Sequence, residues 1–431
     1  MANTLLTPSM ITREALRVLH NNLVFIKGTN RQYSSEFAQA GAKIGSTVNL
    51  RKPNRYFVRT GQTMQVQQTN ETYVPLTLNR QWGVDVSFSS LDLSLSLDDF
   101  SKRVLTPAMA RLASQLDIDV LSMAITGAYA DGTVTAGAGP VYNIVGTPGT
   151  TPGTSGGSAT LLQQYNAPIC FLNAGMMMDN FAAPRDENRR IVMNPAAHAQ
   201  SVSGLSGLIN DSAAIAEQYR KGVLGNALGF EFAMDQNIYN FNSNTGVSLG
   251  TITLTPGSAN ASATGVTSGG IFPAGMAFTI PGVYSVNPEN QQSTGQLQQF
   301  VVTATTTATT TTIASLPISP TPVLAGTGVA AGTVTYATTS LLVGTATVVT
   351  GTTASTSYPQ NLAYHQDAFT LATADLELPR GVDFAARETY DGISMRIVRA
   401  FDITNDLFPC RIDVLGGWAT LRPELACRIT G

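Results

Sequence analysis

Charge is what this sequence has least of. Only 12% of its 431 residues are Asp, Glu, Lys or Arg, about half the roughly 25% usual in soluble domains. The 43% hydrophobic content excludes a charge-solvated disordered chain. With 25 basic against 28 acidic residues the net charge is −3, which argues against a dedicated nucleic-acid binder. Three histidines, His20, His198 and His365, stand alone, and no Cys or His lies near another at ligand spacing. Cys170, Cys410 and Cys427 are odd in number and widely separated. They read as buried free thiols of a reducing compartment, not as a disulfide framework.

Long apolar runs are also missing. No stretch reaches the roughly 18 residues that would read as a membrane span. At the N-terminus Arg13, Glu14 and Arg17 interrupt the only candidate for an export signal. The expectation is a soluble protein made in a cytoplasm, with no membrane partner. No Gly-Lys-Ser/Thr phosphate loop and no Gly-x-Ser-x-Gly elbow occurs. Gly326-Thr327-Gly328-Val329-Ala330-Ala331 loosely matches a dinucleotide fingerprint. β-prone Thr and Val follow it where the motif requires a helix, so the match is accidental. Asp117 and Asp119 lie two apart in a helical pattern and project to different faces, unable to share a metal or a proton. The reading is therefore no enzyme, no catalytic residues, no cofactor and no metal.

What is present is a clear order of elements. Thr7-Pro8 opens a helix whose apolar stripe runs through Ile11, Ala15, Val18, Leu19 and Leu23. From Thr47 to Phe88 the pattern is β, with Val74, Leu76, Leu78, Trp82, Val84, Val86 and Phe88 alternating and Arg80 out of pattern. A path of about 15 residues at about 3.3 Å each spans roughly 50 Å. Such a ribbon either lies on something else or bends into a compact sheet, and both readings stay open. Arg51, Lys52, Arg55, Arg59 and Arg80 make it basic. They read either as a solvated surface or as contacts with an acidic partner surface. A second helical block begins around Leu97-Asp98-Asp99-Phe100, with Asp98 and Asp99 in its first turn; Thr106-Pro107 repeats the start signal, and Met109, Leu112, Leu116, Val120, Met123 and Ala124 form one stripe, closed by Gly127.

The sharpest change in composition comes late. Gly146 to Ser158 is a Gly-, Pro- and Thr-rich loop, and helix, strand and helix follow to about Asp235. Between Gln236 and Gln366 the only charged residue is Glu289, among short β-prone runs separated by turn signals. This predicts a small all-β barrel or sandwich inserted into an α/β surround. Charges return at Asp367, and the tail alternates again through Ile393, Met395 and Ile397 and through Cys410 to Leu415.

Taken in order, certain short segments resemble a known family. They are Leu97-Asp98-Asp99-Phe100-Ser101 with Pro107 to Ala113, Met193-Asn194-Pro195, Tyr219-Arg220-Lys221-Gly222 with Gly229-Phe230, and Cys410-Arg411-Ile412 before Gly417-Trp418 to Glu424. As an ordered set they resemble the major coat proteins of tailed bacteriophages, in the P22-like branch of the HK97 fold. The resemblance implies an α+β capsid fold with N-terminal arm, E-loop β ribbon, spine helix and axial domain, carrying an inserted small all-β domain. The boundaries expected are 1–46 for the arm, 47–90 for the E-loop and adjoining ribbon, and 91–158 for the peripheral domain with its spine helix. The axial domain then takes 159–235 and 367–431, and the inserted domain 236–366.

The resemblance implies pentamers and hexamers of the chain in an icosahedral virion shell, assembled in the host cytoplasm. A scaffolding protein, a portal protein at one vertex and packaged double-stranded DNA bound without sequence readout are its implied partners, and it admits a decoration protein. Arg51, Lys52, Arg55, Arg59 and Arg80 become inter-subunit contacts. The competing readings are a secreted or tail-associated β-rich adhesin and an encapsulin-like compartment shell.

Overall fold

Both Thr-Pro signals open helices where the sequence places them. A computed structural model describes residues 8–32, 47–53, 56, 58–64, 66, 71–89, 104–134, 139–146, 169–205, 225–243, 248–290, 292–323, 343–350 and 356–430. In chain order these form α1 (Pro8–Asn22), β1 (Thr47–Arg51), β2 (Tyr73–Thr77), β3 (Arg80–Ser89), α2 (Thr106–Thr126), β4 (Ile144–Val145), α3 (Ile169–Asn180), β5 (Arg189–Met193) and α4 (Pro195–Leu205). Next come β6 (Asn226–Ala227), β7 (Phe230–Met234), β8 (Asn240–Ser243), β9 (Thr251–Leu254), β10 (Asn260–Thr264), β11 (Ile271–Phe272), β12 (Ala277–Val286), β13 (Ser293–Val302), β14 (Thr306–Thr307) and β15 (Thr312–Ser319). The last group is β16 (Val343–Thr345), β17 (Thr347–Val348), β18 (Thr356–Pro359), β19 (Asn361–His365), β20 (Phe369–Ala374), β21 (Phe384–Tyr390), β22 (Ile393–Arg399), β23 (Leu407–Thr420) and β24 (Ala426–Ile429). Asp98, Asp99 and the rest of 97–101, the loop 147–158, Tyr219 to Gly222 and the glycine motif at 326–331 lie outside the described residues.

The chain divides into two compact units. The first comprises Met1–Asn49, Pro75–Val120 and Phe369–Ala419. Its sheet is built on the 14-residue strand β23, which pairs with β3, β22 and β20, while β21 pairs with β22. α1 packs on β21 and β22 and buries Ala15, Leu16, Leu19 and Leu23. Leu16 belongs to this face, whereas Ile11 and Val18 are only half-buried. Phe25, Phe369 and Trp418 form a ring cluster with centroids 5.5 Å apart.

One expectation is corrected here. The alternating run from Val74 to Phe88 is not a single strand path. It breaks after Thr77, so β2 pairs with β1 in a two-stranded ribbon and β3 joins β23 from Arg80↔Gly416 to Ser89↔Leu407. Arg80, the residue out of pattern, marks the break: alternation restarts there on a different sheet. Gly83 lies where β3 crowds β23. A Cβ at that position would sit 2.8 Å from Asp413 Oδ1 and 2.9 Å from the Ile412 carbonyl.

The second unit comprises Leu50–Val74, Leu121–Ala368 and Thr420–Gly431. Its six-stranded sheet runs β4-β24-β19-β5-β7-β6, with every residue of β19 and β24 buried. Asn194 caps α4 by accepting the Ala197 N–H at 2.8 Å, with Pro195 in the first turn. The chain leaves this sheet after β7 and returns at β19. Its outgoing and returning strands, β8 and β18, pair antiparallel from Asn240↔Pro359 to Ser243↔Thr356, forming a stem.

Beyond the stem lies a seven-stranded sheet, β16-β9-β10-β15-β13-β12-β17. Its two edge strands, β16 and β17, are separated in sequence only by Ala346, so the sheet curls until its edges meet. Phe241, Ile252, Phe278, Ile280, Phe300, Val302 and Leu316 fill the interior. Threonine and valine favour these strands because branched side chains fit a pleated, half-buried surface.

Candidate functional site

The groups that carry chemistry in most proteins serve here as internal ties. Asp117 and Asp119 do diverge. Asp117 accepts the backbone N–H of Val24 at 3.0 Å and of Ile26 at 3.2 Å, holding the segment after α1. Asp119, fully buried, accepts Trp82 Nε1 at 2.7 Å, Arg80 Nη2 at 3.2 Å and Gln115 Nε2 at 3.2 Å. It therefore fastens the start of β3 to α2.

Asp413 is the third such carboxylate, bound by Arg396 Nη2 at 2.7 Å and Arg411 Nε at 2.8 Å. Burial acts to raise its pKa, but the two guanidinium groups outweigh that and hold it below the usual carboxylate range. His198, on α4, is buried, and burial lowers its pKa. His365 is buried too, its Nε2 3.1 Å from Asp186 Oδ1.

All three cysteines are buried thiols. Burial pushes Cys170 up to about 12 and raises Cys410 and Cys427 as well, the setting of an inert thiol. Among the described residues no three His, Cys, Asp or Glu side chains are grouped to hold a metal ion. No described helix is long and apolar enough to cross a membrane.

The basic residues of the ribbon are placed unequally. Arg51 pairs with Glu71 across the ribbon at 2.9 Å, and both are exposed. The Lys52 backbone N–H donates to the Thr72 carbonyl at 2.8 Å, extending the β1–β2 pairing by one residue. Arg59 donates to the Gly61 carbonyl. Arg80 is turned inward onto Asp119. Arg55 lies outside the described residues.

Between Arg51 and Tyr73 the apolar side chains are the prominent surface. Tyr56, Val58, Met64, Val66 and Tyr73 are all exposed, Val58 to 93% and Val66 to 76%. The basic residues stand out in the sequence, and these apolar ones do not. They fall in short groups, Tyr56 to Val58, Met64 with Val66, and Tyr73, which form no long periodic run. Sequence reasoning also missed Gln299, whose Nε2 donates to the Ile144 carbonyl at 2.9 Å, and the fully buried Arg428, whose Nη1 donates to the Gly275 carbonyl at 2.8 Å. No sequence signal distinguishes either from a surface residue.

Apolar side chains exposed together on a ribbon are a surface suited to association with another protein. The family model of the P22 coat protein, gene protein 5, matches residues 170–431. The chain belongs to this family and is a major capsid protein of tailed bacteriophages, with the HK97-type α+β fold, self-assembling into the virion shell. The adhesin and compartment-shell readings are not favoured.

Among solved structures it is similar to one described as Mycobacterium phage Che8, at 11% identity and a TM-score of 0.45, covering 94% of this chain and 90% of that one. It is also similar to the capsid structure of Cyanophage P-SCSP1u, at 10% identity and a TM-score of 0.42, covering 90% and 83%. A third is Gordonia phage Cozz, at 12% identity and 0.37, covering 95% and 89%. No curated protein matches the chain.

Proposed function

We propose that this coat protein acts without enzymatic activity, closing an icosahedral shell from pentamers and hexamers of itself around double-stranded DNA, with its ribbon laid on a neighbouring copy as the E-loop. The observation that carries the reading is the set of apolar side chains on the ribbon, Tyr56, Val58, Met64, Val66 and Tyr73, which are exposed among the described residues. A narrow two-stranded ribbon has no core of its own, so these side chains leave water only against another surface. In this reading Arg51, Lys52, Arg55, Arg59 and Arg80 are inter-subunit contacts. Because Arg51 and Arg80 have carboxylate partners within the chain, the apolar side chains supply most of the attraction and the remaining basic groups its register.

The near-neutral chain limits repulsion as copies pack, and repetition over a closed lattice multiplies each weak contact. The proposal includes a division into arm (1–46), ribbon (47–90), peripheral domain (91–158), axial domain (159–235 and 367–431) and insertion domain (236–366). It also includes assembly in the bacterial cytoplasm on a scaffolding protein, a portal protein at one vertex, and sparse basic residues touching DNA without reading sequence. A decoration protein is a further candidate partner.

The test is sedimentation velocity with negative-stain imaging of the purified chain, with and without a co-expressed scaffold. Closed particles of uniform diameter are expected. The double variant Arg55→Glu/Arg59→Glu, and separately Val58→Asp, are expected to remain folded and to lose closure. A chain that stays monomeric under every condition overturns the reading.

A further inference from the structure

The six-stranded sheet ends at β4, a strand of only two residues, Ile144 and Val145. Its inner side is engaged by β24: the Arg428 N–H donates to the Asn143 carbonyl at 2.8 Å and the Thr430 N–H to the Val145 carbonyl at 2.9 Å. Backbone groups alternate along a strand, so Ile144, between those two, turns its N–H and C=O away from β24. That side is the edge of the sheet.

One side chain occupies it. The Ile144 N–H donates to Gln299 Oε1 at 2.5 Å, and Gln299 Nε2 donates back to the Ile144 carbonyl at 2.9 Å. Two reciprocal bonds to one residue are what a neighbouring strand makes in an antiparallel ladder. A primary amide offers the same kinds of donor and acceptor as a peptide unit, so Gln299 stands in for a further strand.

The surroundings hold the amide in place. Gln299 lies on β13 of the seven-stranded sheet, where Phe300 and Val302 fill the interior. Gln299 and Val301 therefore occupy the outer side. Val301 is fully buried there with Tyr142 and Phe181, whose rings meet edge to face at 6.1 Å. Ser319 of β15 pairs opposite Val301, and a Cβ at Gly139 would sit 2.7 Å from the Ser319 Cβ. The segment 139–144 thus crosses the outer side of β15 and β13 in order, and the Gln299 amide is its last contact.

We propose that the seven-stranded sheet has a further function within the chain: it closes the β4 edge of the six-stranded sheet, with Gln299 as the closing group, so that unassembled copies do not join edge to edge. An open edge offers unpaired N–H and C=O groups to strands of other chains. The shortness of β4 already limits such pairing, and Gln299 takes the residue of β4 that faces outward. The closure is a property of the single chain and is tested without shells.

Gln299→Met keeps the length of the side chain and removes both bonds. In the unassembled full chain it is expected to speed amide exchange at Ile144 about tenfold. Sedimentation velocity is expected to show irregular aggregates at concentrations where the parent chain is a single species. Gln299→Glu is the reversible form. Its carboxylate sets negative charge against the Ile144 carbonyl, which turns the side chain out to water, and the expected behaviour is that of Gln299→Met. Once protonated, the introduced carboxyl again offers one donor and one acceptor. Lowering the pH through its titration is therefore expected to restore the exchange rate of the parent chain at the same pH. Unchanged exchange at Ile144 in Gln299→Met, or faster exchange with no gain in aggregation, overturns the inference. Should Gln299→Met fail to fold, the reversal in Gln299→Glu decides alone, and its absence overturns the inference equally. A chain that never forms shells counts against the coat-protein reading and alters neither readout.

Discussion

In the sheet built on β23, carboxylates sit inside: Asp413 is bound between Arg396 and Arg411, and Asp119 holds Trp82 and Arg80 at the start of β3. In the seven-stranded sheet beyond the stem, the interior is aliphatic and aromatic, with Phe278 and Phe300 stacked at 5.9 Å. Its one charged residue, Glu289, is exposed in a turn. The first sheet is fixed by pairs that must be complete, since a buried charge that loses its partner costs several kcal/mol. The second depends on area and fit, which are graded and indifferent to pH. One chain thus holds two β structures whose sensitivities should separate cleanly.

Asp119→Ala gives the largest expected effect. It removes the buried carboxylate that accepts the Trp82 Nε1–H and pairs with Arg80, and a loss of about 3–5 kcal/mol in urea unfolding is expected. Phe300→Ala, in the seven-stranded sheet, is expected to cost about 3–4 kcal/mol. That loss should be equal at pH 7 and pH 4, and a strong pH dependence would break the comparison.

Acid should then divide the two sheets. The folded-state pKa of Asp413 is lowered, so its contribution is complete above the unfolded value of about 3.9 and is lost as pH falls through the folded value. Amide exchange measured from pH 5 down to pH 2.5, corrected for the intrinsic rate, should show β22 and β23 losing protection before β12 and β13.

A smaller effect is expected at Arg428. Burial lowers its pKa to about 10, and its Nε and Nη2 have no hydrogen-bond partner among the described residues. Arg428→Met should change stability by less than about 1 kcal/mol or raise it, whereas a loss as large as that of Asp119→Ala would place Arg428 among the essential pairs. Glu289→Gln should be smallest, within about 0.5 kcal/mol.

Much of the fold was legible because its signals are local. Thr-Pro starts, the stripe from Met109 to Ala124, Gly127 as a stop and the charge-free interval after Gln236 each follow from residue types and spacing. Both helix stripes could be read because a helix face repeats within a few residues. The site was less legible. Composition directed attention to Arg51, Arg59 and Arg80, whereas the exposed surface is apolar, because exposure is a property of what else packs nearby. Alternation alone could not show that the run from Val74 to Phe88 divides between two sheets, since period two is the same whichever strand lies alongside.

The sequence by itself determined the class: an uncharged inserted β segment within an α/β chain, an ordered set of coat-family segments, and no run of residues suited to a metal or nucleotide. Tertiary structure decided which groups meet. Asp413 with Arg396 and Asp119 with Trp82 join residues 17 and 37 positions apart in sequence, and Arg428 with Gly275 joins residues 153 apart. Local propensity acts over a few residues, whereas these contacts exist only after the chain has closed loops over the intervening length, so no window of the sequence contains them.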